Sequence, residues 1–218
     1  MPGAPDGPRL TLAGTGRDLA VLAERAARHD ATTQIRLVAS GRALAAFVAT
    51  PFDALAVRVS RLADPGDLDV VVEAVGLAAR ARSARDGTLV LPPRLPDMLW
   101  TTPLPPRSGW TQVTRLSLPE VRARLGADTD EFRARAASMG AGRASSIALA
   151  QIAADLWARP LTGDVPARLA HAADYLGFLP DDESDEVAVR RAGPWWRLDA
   201  RHGTTAVRSL DPLRLLVG

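Results

Sequence analysis

Cysteine and lysine are both absent from this sequence of 218 residues, so all 27 of its Lys and Arg residues are arginine. Without cysteine, the chain cannot form disulfides, thiolate nucleophiles, iron–sulfur clusters or cysteine-based zinc sites. Without lysine, it has no Walker A phosphate loop, Schiff-base chemistry or Ser–Lys catalytic pair. Arginine-only usage with abundant alanine is typical of GC-rich bacterial genomes, so we expect a bacterial protein and infer no function from this bias.

Long apolar runs are also absent. No run approaches the roughly 18–20 residues that a membrane-spanning helix needs, and the N-terminus lacks the basic region and apolar block of a secretory signal. Aromatic residues make up only 5% of the chain, whereas its 47% hydrophobic and 24% charged content is ordinary for a globular protein. We therefore expect a soluble, cytoplasmic protein with no membrane partner.

An excess of charge of either sign is lacking as well. The sequence pI is about 10.2, a value that usually indicates nucleic-acid binding, but the formal net charge is only +2. The very high pKa of arginine keeps the titration curve flat up to strongly alkaline pH, which explains the high pI. Acids and arginines alternate along most of the chain, so we expect a weak long-range field.

Residues 9–88 are predicted to form a small α+β unit. The apolar spacing predicts a helix over about 17–29. Three alternating segments, TTQIRLV, ALAAFVA and ALAVRVS, predict an antiparallel three-stranded meander with one covered face. Asp64 and Asp67 then indicate the start of a second helix that ends near Gly87, since its acids come early and its arginines late.

A proline-rich stretch follows, LPPRLPDMLWTTPLPPRSGW at 91–110, with six prolines and two tryptophans. Flexible linkers are usually rich in glycine and serine, whereas this stretch carries large apolar residues that water would solvate poorly. Proline also lowers the entropy that an extended segment loses on ordering. We predict that residues 89–109 are an ordered connector packed on both units.

Residues 110–210 are predicted to form a more helical unit. WTQVTRLS predicts a strand, and Ser117 with Glu120 forms a capping box that starts a helix. The segment Asp128–Glu131 repeats this signal and predicts a further, separate helix. Glycines in SMGAGRASS then indicate a break in the chain.

The rest of this unit is predicted to contain two helices and a β-hairpin. The helices cover about 145–158 and 165–176, and Gly177 ends the second with a Schellman-type cap. EVAVRRAGPWWRLDARHGTTAVRS predicts two or three strands joined by tight turns. The predicted fold class is therefore α+β: a helix, three-stranded meander and helix, then a connector, then a helical unit that ends in a β-hairpin.

Three segments are candidate ligand sites, and for one of them, DDESDE at 181–186, a solvated loop is the favoured interpretation. AGTGRDLA places Gly14 and Gly16 before a helix, where backbone amides can bind phosphate, but Leu19 stands where a dinucleotide fingerprint has its third glycine. A turn and helix cap is the favoured interpretation. Asp64, Asp67, Asp69 and Glu73 could hold a hard cation, but acids are favoured at a helix start in any case, so no metal or cofactor is predicted.

His171 and Asp174 lie three residues apart on one predicted helix, a spacing that suits a general base and the group that orients it. No motif places a nucleophilic serine beside them, and a packing or surface histidine is the favoured interpretation. We therefore predict no catalytic residue.

The C-terminal third resembles the general winged-helix pattern, with VPARLAHAADYLGFL followed by EVAVRRAGPWWRL. The resemblance implies a recognition helix that carries Arg168 and His171 as possible nucleic-acid contacts. It also implies a wing with Arg190, Arg191 and Arg197, whose charges could meet phosphate.

Trp195 and Trp196 are expected to face opposite sides of a strand, because strand side chains alternate. One of them is then left near the surface beside arginines, an arrangement typical of an interface anchor. Trp195, Trp196, Arg190, Arg191 and Arg197 are the predicted interaction residues.

Three functions stay open on this sequence. The first is a non-enzymatic interaction or regulatory protein whose partner is a protein, either a second copy or another chain. The second is a DNA-binding regulator that uses the winged-helix-like unit. The third, and least favoured, is a carboxylate-dependent hydrolase.

Overall fold

The computed structural model describes residues 7–139 and 145–209. It confirms the α+β class, with five helices and a C-terminal antiparallel hairpin among these residues. The chain divides into two units. Unit 1 comprises residues 1–50 and 55–104, and unit 2 comprises residues 51–54 and 105–218. The short segment 51–54 therefore belongs to unit 2 although residues on either side of it belong to unit 1.

A 3-10 helix (Asp97–Leu99) lies in the proline-rich stretch, and six strands and α-helices precede that stretch. In chain order they are β1 (Arg9–Thr11), α1 (Arg17–His29), β2 (Gln34–Thr50), β3 (Ala54–Glu73), α2 (Ala74–Ser83) and β4 (Thr88–Val90). β1 pairs antiparallel with β4, and β2 is hydrogen-bonded to β3. Helix α1 has the predicted bounds and packs against α2.

The contact between α1 and α2 explains why position 16, part of the candidate phosphate loop AGTGRDLA, is a glycine. A Cβ at this position would collide with the Ala81 carbonyl oxygen, so only glycine allows the backbones to approach so closely. The Gly16 amide donates to the Ala84 carbonyl oxygen at 3.0 Å. This glycine therefore serves helix packing.

The strands of unit 1 are longer than predicted. The predicted strands ALAAFVA and ALAVRVS lie within β2 and β3, and TTQIRLV overlaps the start of β2. In β2 the buried apolar residues are Ile35, Leu37 and Ala39 before the exposed stretch 40–43, and Leu44, Ala46 and Val48 after it. The alternation thus changes phase at this stretch, where Gly41 has φ +56°, a backbone conformation that glycine adopts without steric cost.

The predicted start of the second helix was wrong. Residues 64–73 belong to β3, and α2 begins only at Ala74. The run Val70–Val72 is buried, and β-branched side chains of this kind favour strands. The Val71 carbonyl oxygen accepts a hydrogen bond from the Leu95 amide at 2.8 Å, which ties this strand to the proline-rich stretch within unit 1.

Unit 2 contains an antiparallel sheet and three helices in its described part. The remaining elements are, in chain order, β5 (Thr111–Ser117), α3 (Leu118–Ser138), α4 (Ser146–Trp157), β6 (Pro160–Thr162), β7 (Val165–Pro166), α5 (Arg168–Tyr175), β8 (Glu186–Ala192), β9 (Trp195–Ala200) and β10 (Gly203–Arg208). The strands run in the order β5-β8-β9-β10, with each neighbouring pair antiparallel. α5 packs on β9 and β10, and α3 packs on α4.

The capping box at Ser117 is confirmed. The Ser117 hydroxyl accepts from the Glu120 amide at 3.4 Å, and the Glu120 carboxylate accepts from the Ser117 amide at 3.1 Å. The predicted start of a separate helix at Asp128 was wrong, because α3 continues through Asp128–Glu131 as one helix. The Asp128 carboxylate bonds to side chains rather than to backbone amides. Most of the predicted glycine break, 140–144, lies outside the described residues.

Helix α5 ends as predicted. The Phe178 amide donates to the Ala173 carbonyl oxygen at 2.7 Å and the Gly177 amide to the Asp174 carbonyl oxygen at 2.8 Å, which is the Schellman pair of bonds. Phe178 is 1% exposed, so the cap also directs an aromatic ring into the core.

The proline-rich stretch is held by local hydrogen bonds. The Trp100 indole N–H donates to the Thr102 carbonyl oxygen at 2.7 Å, and the Trp110 indole N–H donates to the Pro106 carbonyl oxygen at 2.8 Å. Burial of its apolar side chains is incomplete, since Leu91 is buried whereas Met98 is 83% exposed. The boundary between the units lies at Leu104–Pro105. Packing of the connector on both units stays a prediction.

Candidate functional site

The hairpin of β8 and β9 separates the two neighbouring tryptophans. Trp196 is 5% exposed and lies on the same face of β9 as the buried Leu198. Trp195 is only half-buried and points to the opposite face, together with Arg197 and Asp199. The side chain left near the surface is therefore Trp195.

Arg190 and Arg197 are direct cross-strand partners on the Trp195 side of the sheet. Two arginines opposite each other would repel, but both donate to one carboxylate oxygen, Asp199 Oδ2, from Arg190 Nε and Arg197 Nη2 at 2.8 Å each. The Thr204 hydroxyl donates to the other carboxylate oxygen at 3.0 Å. Asp199 thereby fixes both guanidinium groups and leaves one positive charge uncompensated within this set.

Trp110 extends this surface from the end of the proline-rich stretch. The guanidinium carbon of Arg197 lies 4.8 Å from the centre of the Trp110 ring, within the range of a cation–π contact. Trp110, Arg190, Trp195, Arg197 and Asp199 together are called the Trp195 face below. Three of these residues, Arg190, Trp195 and Arg197, were predicted as interaction residues, whereas Trp110 and Asp199 were not.

Arg191 lies on the other side of the same sheet. Its guanidinium carbon is 5.0 Å from the Trp196 ring centre, and its Nε donates to the Gly193 carbonyl oxygen at 3.2 Å. The five predicted interaction residues are thus divided between two faces. Arg190, Trp195 and Arg197 share one face, and Arg191 and Trp196 share the other.

The two residues predicted on a recognition helix both bond within unit 2. Arg168 Nη1 donates to Asp53 Oδ2 at 2.8 Å. His171 Nε2 lies 3.0 Å from Asp128 Oδ2, and the His171 side chain is 12% exposed. Asp174 is exposed, and the partner of His171 is instead a carboxylate 43 residues away in sequence.

Asp128 bonds to both His171 and Arg124 and is buried between them. Its side chain is 4% exposed, and its Oδ1 accepts from Arg124 Nε at 2.9 Å. Arg124 Nη1 also donates to the Pro160 carbonyl oxygen at 2.9 Å, so the guanidinium links α3 to β6. Arg124 Nη2 is buried and has no hydrogen-bond partner among the described residues.

Phe52 also belongs to this region, and no local pattern around it indicates this role. Its ring stacks on His171 with 5.7 Å between ring centres and makes edge contacts with Trp157 at 4.6 Å and Tyr175 at 5.5 Å. Phe52 of the 51–54 segment thus contacts three rings, Trp157 of α4 and His171 and Tyr175 of α5, and His171 is in turn bonded to the buried Asp128 carboxylate.

The acidic residues at 64–73, a candidate cation site in the sequence, do not form a metal-binding cluster in the described structure. Asp69 forms a bidentate pair with Arg36, at 2.8 and 2.7 Å. Over residues 7–139 and 145–209, no set of three or more His, Asp or Glu side chains is arranged to hold a metal ion. In the same part of the chain, no helix is both long and apolar enough to cross a membrane.

Two family models match the sequence, one for each half. Residues 6–102 match the domain of unknown function DUF8010, and residues 105–212 match the domain of unknown function DUF8185. No curated protein matches the sequence. The border between the two matches falls at the boundary between the structural units.

Solved structures of bacterial sliding clamps have a similar fold. The DNA polymerase III subunit beta of Pseudomonas aeruginosa superposes with a TM-score of 0.51 at 13% identity, and the DNA polymerase sliding clamp of Caulobacter crescentus with 0.52 at 12%. A putative DNA polymerase III beta subunit from Eubacterium rectale gives 0.53 at 8%. The matches cover 96–97% of this chain and 68% of each of those chains. At this identity, the likeness shows the fold alone.

Proposed function

We propose that this chain is a non-enzymatic, protein-binding component of a larger assembly, and that the Trp195 face is a docking surface for its partner. The observation that carries the proposal is the fold. Almost the whole chain resembles proteins named as a subunit of DNA polymerase III or as a sliding clamp, and a subunit acts in contact with other proteins. These structures come from bacteria, which supports the expected bacterial, cytoplasmic setting.

The Trp195 face has the chemistry of an interface centre. Half-buried tryptophans with neighbouring arginines are the residues that most often dominate binding energy in protein interfaces. Asp199 already fixes Arg190 and Arg197, so little side-chain entropy is lost when a partner covers them. Trp110 is likewise fixed by its bond to Pro106. A partner would therefore meet a preorganised surface.

DNA binding is the second candidate, because the similar structures are DNA polymerase clamps. The arginines on the helices support DNA binding less than protein binding, because several of them are paired with acids. Arg124 and Arg133 on α3 pair with acids of the same helix, and Arg82 of α2 pairs with Glu24 of α1. Arginines that are already neutralised release few counterions from DNA, and counterion release supplies most of the non-specific affinity.

A comparison of three purified proteins tests protein binding. Wild type, Trp195→Ala and Ile147→Ala serve as bait in host lysate, and light scattering over a concentration series measures self-association. Ile147 is the matched control, since it is an apolar side chain, 80% exposed, elsewhere in unit 2. We expect a partner, or a dimer, with wild type and Ile147→Ala that is lost with Trp195→Ala. A monomer with no partner, or equal binding by all three proteins, would overturn the proposal.

Fluorescence anisotropy with a labelled duplex tests the DNA candidate. We expect no binding at physiological salt, and at low salt only weak binding that does not change between wild type and the Arg190→Ala/Arg191→Ala variant. Tight, salt-dependent binding that this variant weakens would favour the DNA-binding function instead.

A further inference from the structure

A groove in unit 1 has no role in the function proposed above. It has a volume of about 290 Å³. Asp30 and Thr32 after α1, Gln34 at the start of β2, and Leu99, Trp100 and Thr102 of the proline-rich stretch form much of its lining. The groove thus combines a carboxylate, hydroxyl and amide groups, and one large aromatic ring.

The negative charge of the groove comes from Asp30. Its Oδ1 accepts from the Thr32 amide at 2.8 Å and from the Thr32 hydroxyl at 2.6 Å. These bonds, the hydroxyl bond first, hold the pKa of Asp30 below its usual value, so the carboxylate is ionised at neutral pH. Asp30 is also the C-cap of the 13-residue helix α1, whose carbonyl end adds negative potential.

No cation of the described chain neutralises Asp30, unlike many other carboxylates of unit 1. Asp69 pairs with Arg36, Glu24 with Arg82 and Asp97 with Arg94. Asp30 binds only Thr32 among the residues whose contacts the structure gives. A fixed, ionised and unpaired carboxylate in a groove favours binding of a positively charged group.

Trp100 supplies an aromatic face beside this carboxylate. Its indole N–H bond to Thr102 fixes the ring, and the neighbouring Leu99 is 47% exposed. The combination matches the Trp195 face, where Arg197 bonds to Asp199 and stacks on Trp110 at 4.8 Å. In unit 2 the chain provides the carboxylate, the tryptophan and the guanidinium. In the groove it provides the carboxylate and the tryptophan but no arginine.

We infer that the groove binds an arginine side chain from a partner protein, with the guanidinium between Asp30 and Trp100 and the aliphatic part of the side chain on Leu99. Arginine fits better than lysine, because its planar guanidinium stacks on an indole ring while it donates to a carboxylate. The inference rests on the proposed role in protein binding but concerns a surface separate from the Trp195 face.

The probe for this site is N-acetyl-arginine methylamide, and the readout is the chemical shift of the Trp100 indole N–H, assigned with Trp100→Leu. N-acetyl-citrulline methylamide is the control probe, since it has nearly the same shape without the charge. We expect a saturable shift with the arginine compound at millimolar concentration and a response at least about fivefold weaker with the citrulline compound.

Two variants assign the charge. Asp30→Asn keeps an acceptor oxygen for Thr32 and removes the charge, so it is expected to weaken arginine binding about fivefold. Asp67→Asn removes the same charge at an exposed position outside the groove and is expected to leave binding unchanged. Equal responses to both probes, equal affinities of both variants, or no saturable shift at about 50 mM would overturn the inference. None of these results bears on Trp195, so this site and the proposed function fail independently.

Discussion

Replacement of Asp128 should destabilise unit 2 more than any other removal of a single carboxylate on α3. The Asp128 side chain is 4% exposed. Its Oδ1 accepts from Arg124 Nε, and its Oδ2 lies 3.0 Å from His171 Nε2. Breaking a buried pair by removing one partner costs roughly 3–5 kcal/mol, but Arg124 is 26% exposed and water can solvate part of it. We therefore expect Asp128→Ala to lower the free energy of unfolding by about 2–3 kcal/mol.

Asp128→Asn separates charge from shape. The amide oxygen can still accept from Arg124, and a neutral His171 can change tautomer to accept from the amide group. The expected loss is then about 1–2 kcal/mol, mainly from the ion pair. Asp130→Asn is the matched control, two residues away on the same helix, because its side chain is 80% exposed and its pair with the exposed Arg133 is long, at 3.4 Å. Its expected effect is below about 0.5 kcal/mol.

Urea unfolding followed by tryptophan fluorescence measures all three variants, with Trp157 close to the substituted region through its contact with Phe52. Far-UV circular dichroism checks that the helices are retained before unfolding. The reasoning is refuted if Asp128→Ala and Asp130→Asn shift the midpoint equally at unchanged m-value, since burial of the carboxylate would then carry no energetic weight.

Three further predictions use the same unfolding measurement. Trp196→Ala should cost about 3 kcal/mol because the ring is buried, and Trp195→Ala less than half as much; the opposite order would mean that the two faces of β9 are assigned wrongly. Phe52→Ala should cost about 2 kcal/mol and Phe52→Leu about 1, since leucine keeps most of the volume but loses the ring contacts; equal losses would deny these contacts a role. Hydrogen bonds from the Ser117 hydroxyl and amide lower the pKa of Glu120 from its usual 4.5, so the stabilisation from its carboxylate is present above pH 4.5 and is lost as the pH falls through the lower, folded-state pKa. The difference in unfolding free energy between wild type and Glu120→Gln should therefore shrink below pH 4.5. A difference independent of pH would contradict this reasoning.

Signals that act over a few residues predicted the structure well. The capping box at Ser117 and the Schellman end at Gly177 each involve atoms within six residues of one another, and both are present. The bounds of α1 also follow from spacing alone. In these cases the same short segment contains both the pattern and the partners that it needs.

The same signals failed where a distant partner competed for the residue. Asp64 and Asp67 match a helix start, but the valines that follow are buried in β3 and the helix begins at Ala74. Asp128 matches an N-cap, yet its carboxylate serves Arg124 and His171 within a continuous helix. Local propensity is a weak prior that tertiary contacts override.

The candidate sites were harder to predict than the fold because each depends on residues far apart in sequence. Arg197 meets Trp110 across 87 positions, and the groove joins Asp30 to Trp100 across 70. No spacing rule identifies such pairs. The sequence did indicate that Trp195 and Trp196 would separate, because that follows from strand geometry alone.

This chain shares the fold of sliding clamps at only 8–13% identity, so the fold alone does not identify its function. The fold requires only that apolar residues alternate in strands and recur on one face of each helix, and many sequences satisfy that condition. Surface charge is under no such constraint. Here Arg124 and Arg133 of α3 are paired with acids, while Asp30 is ionised and has no arginine partner among the described residues. A shared fold leaves the binding partners undetermined, so the proposed protein binding depends on this chain's own surface residues, at the Trp195 face and in the groove.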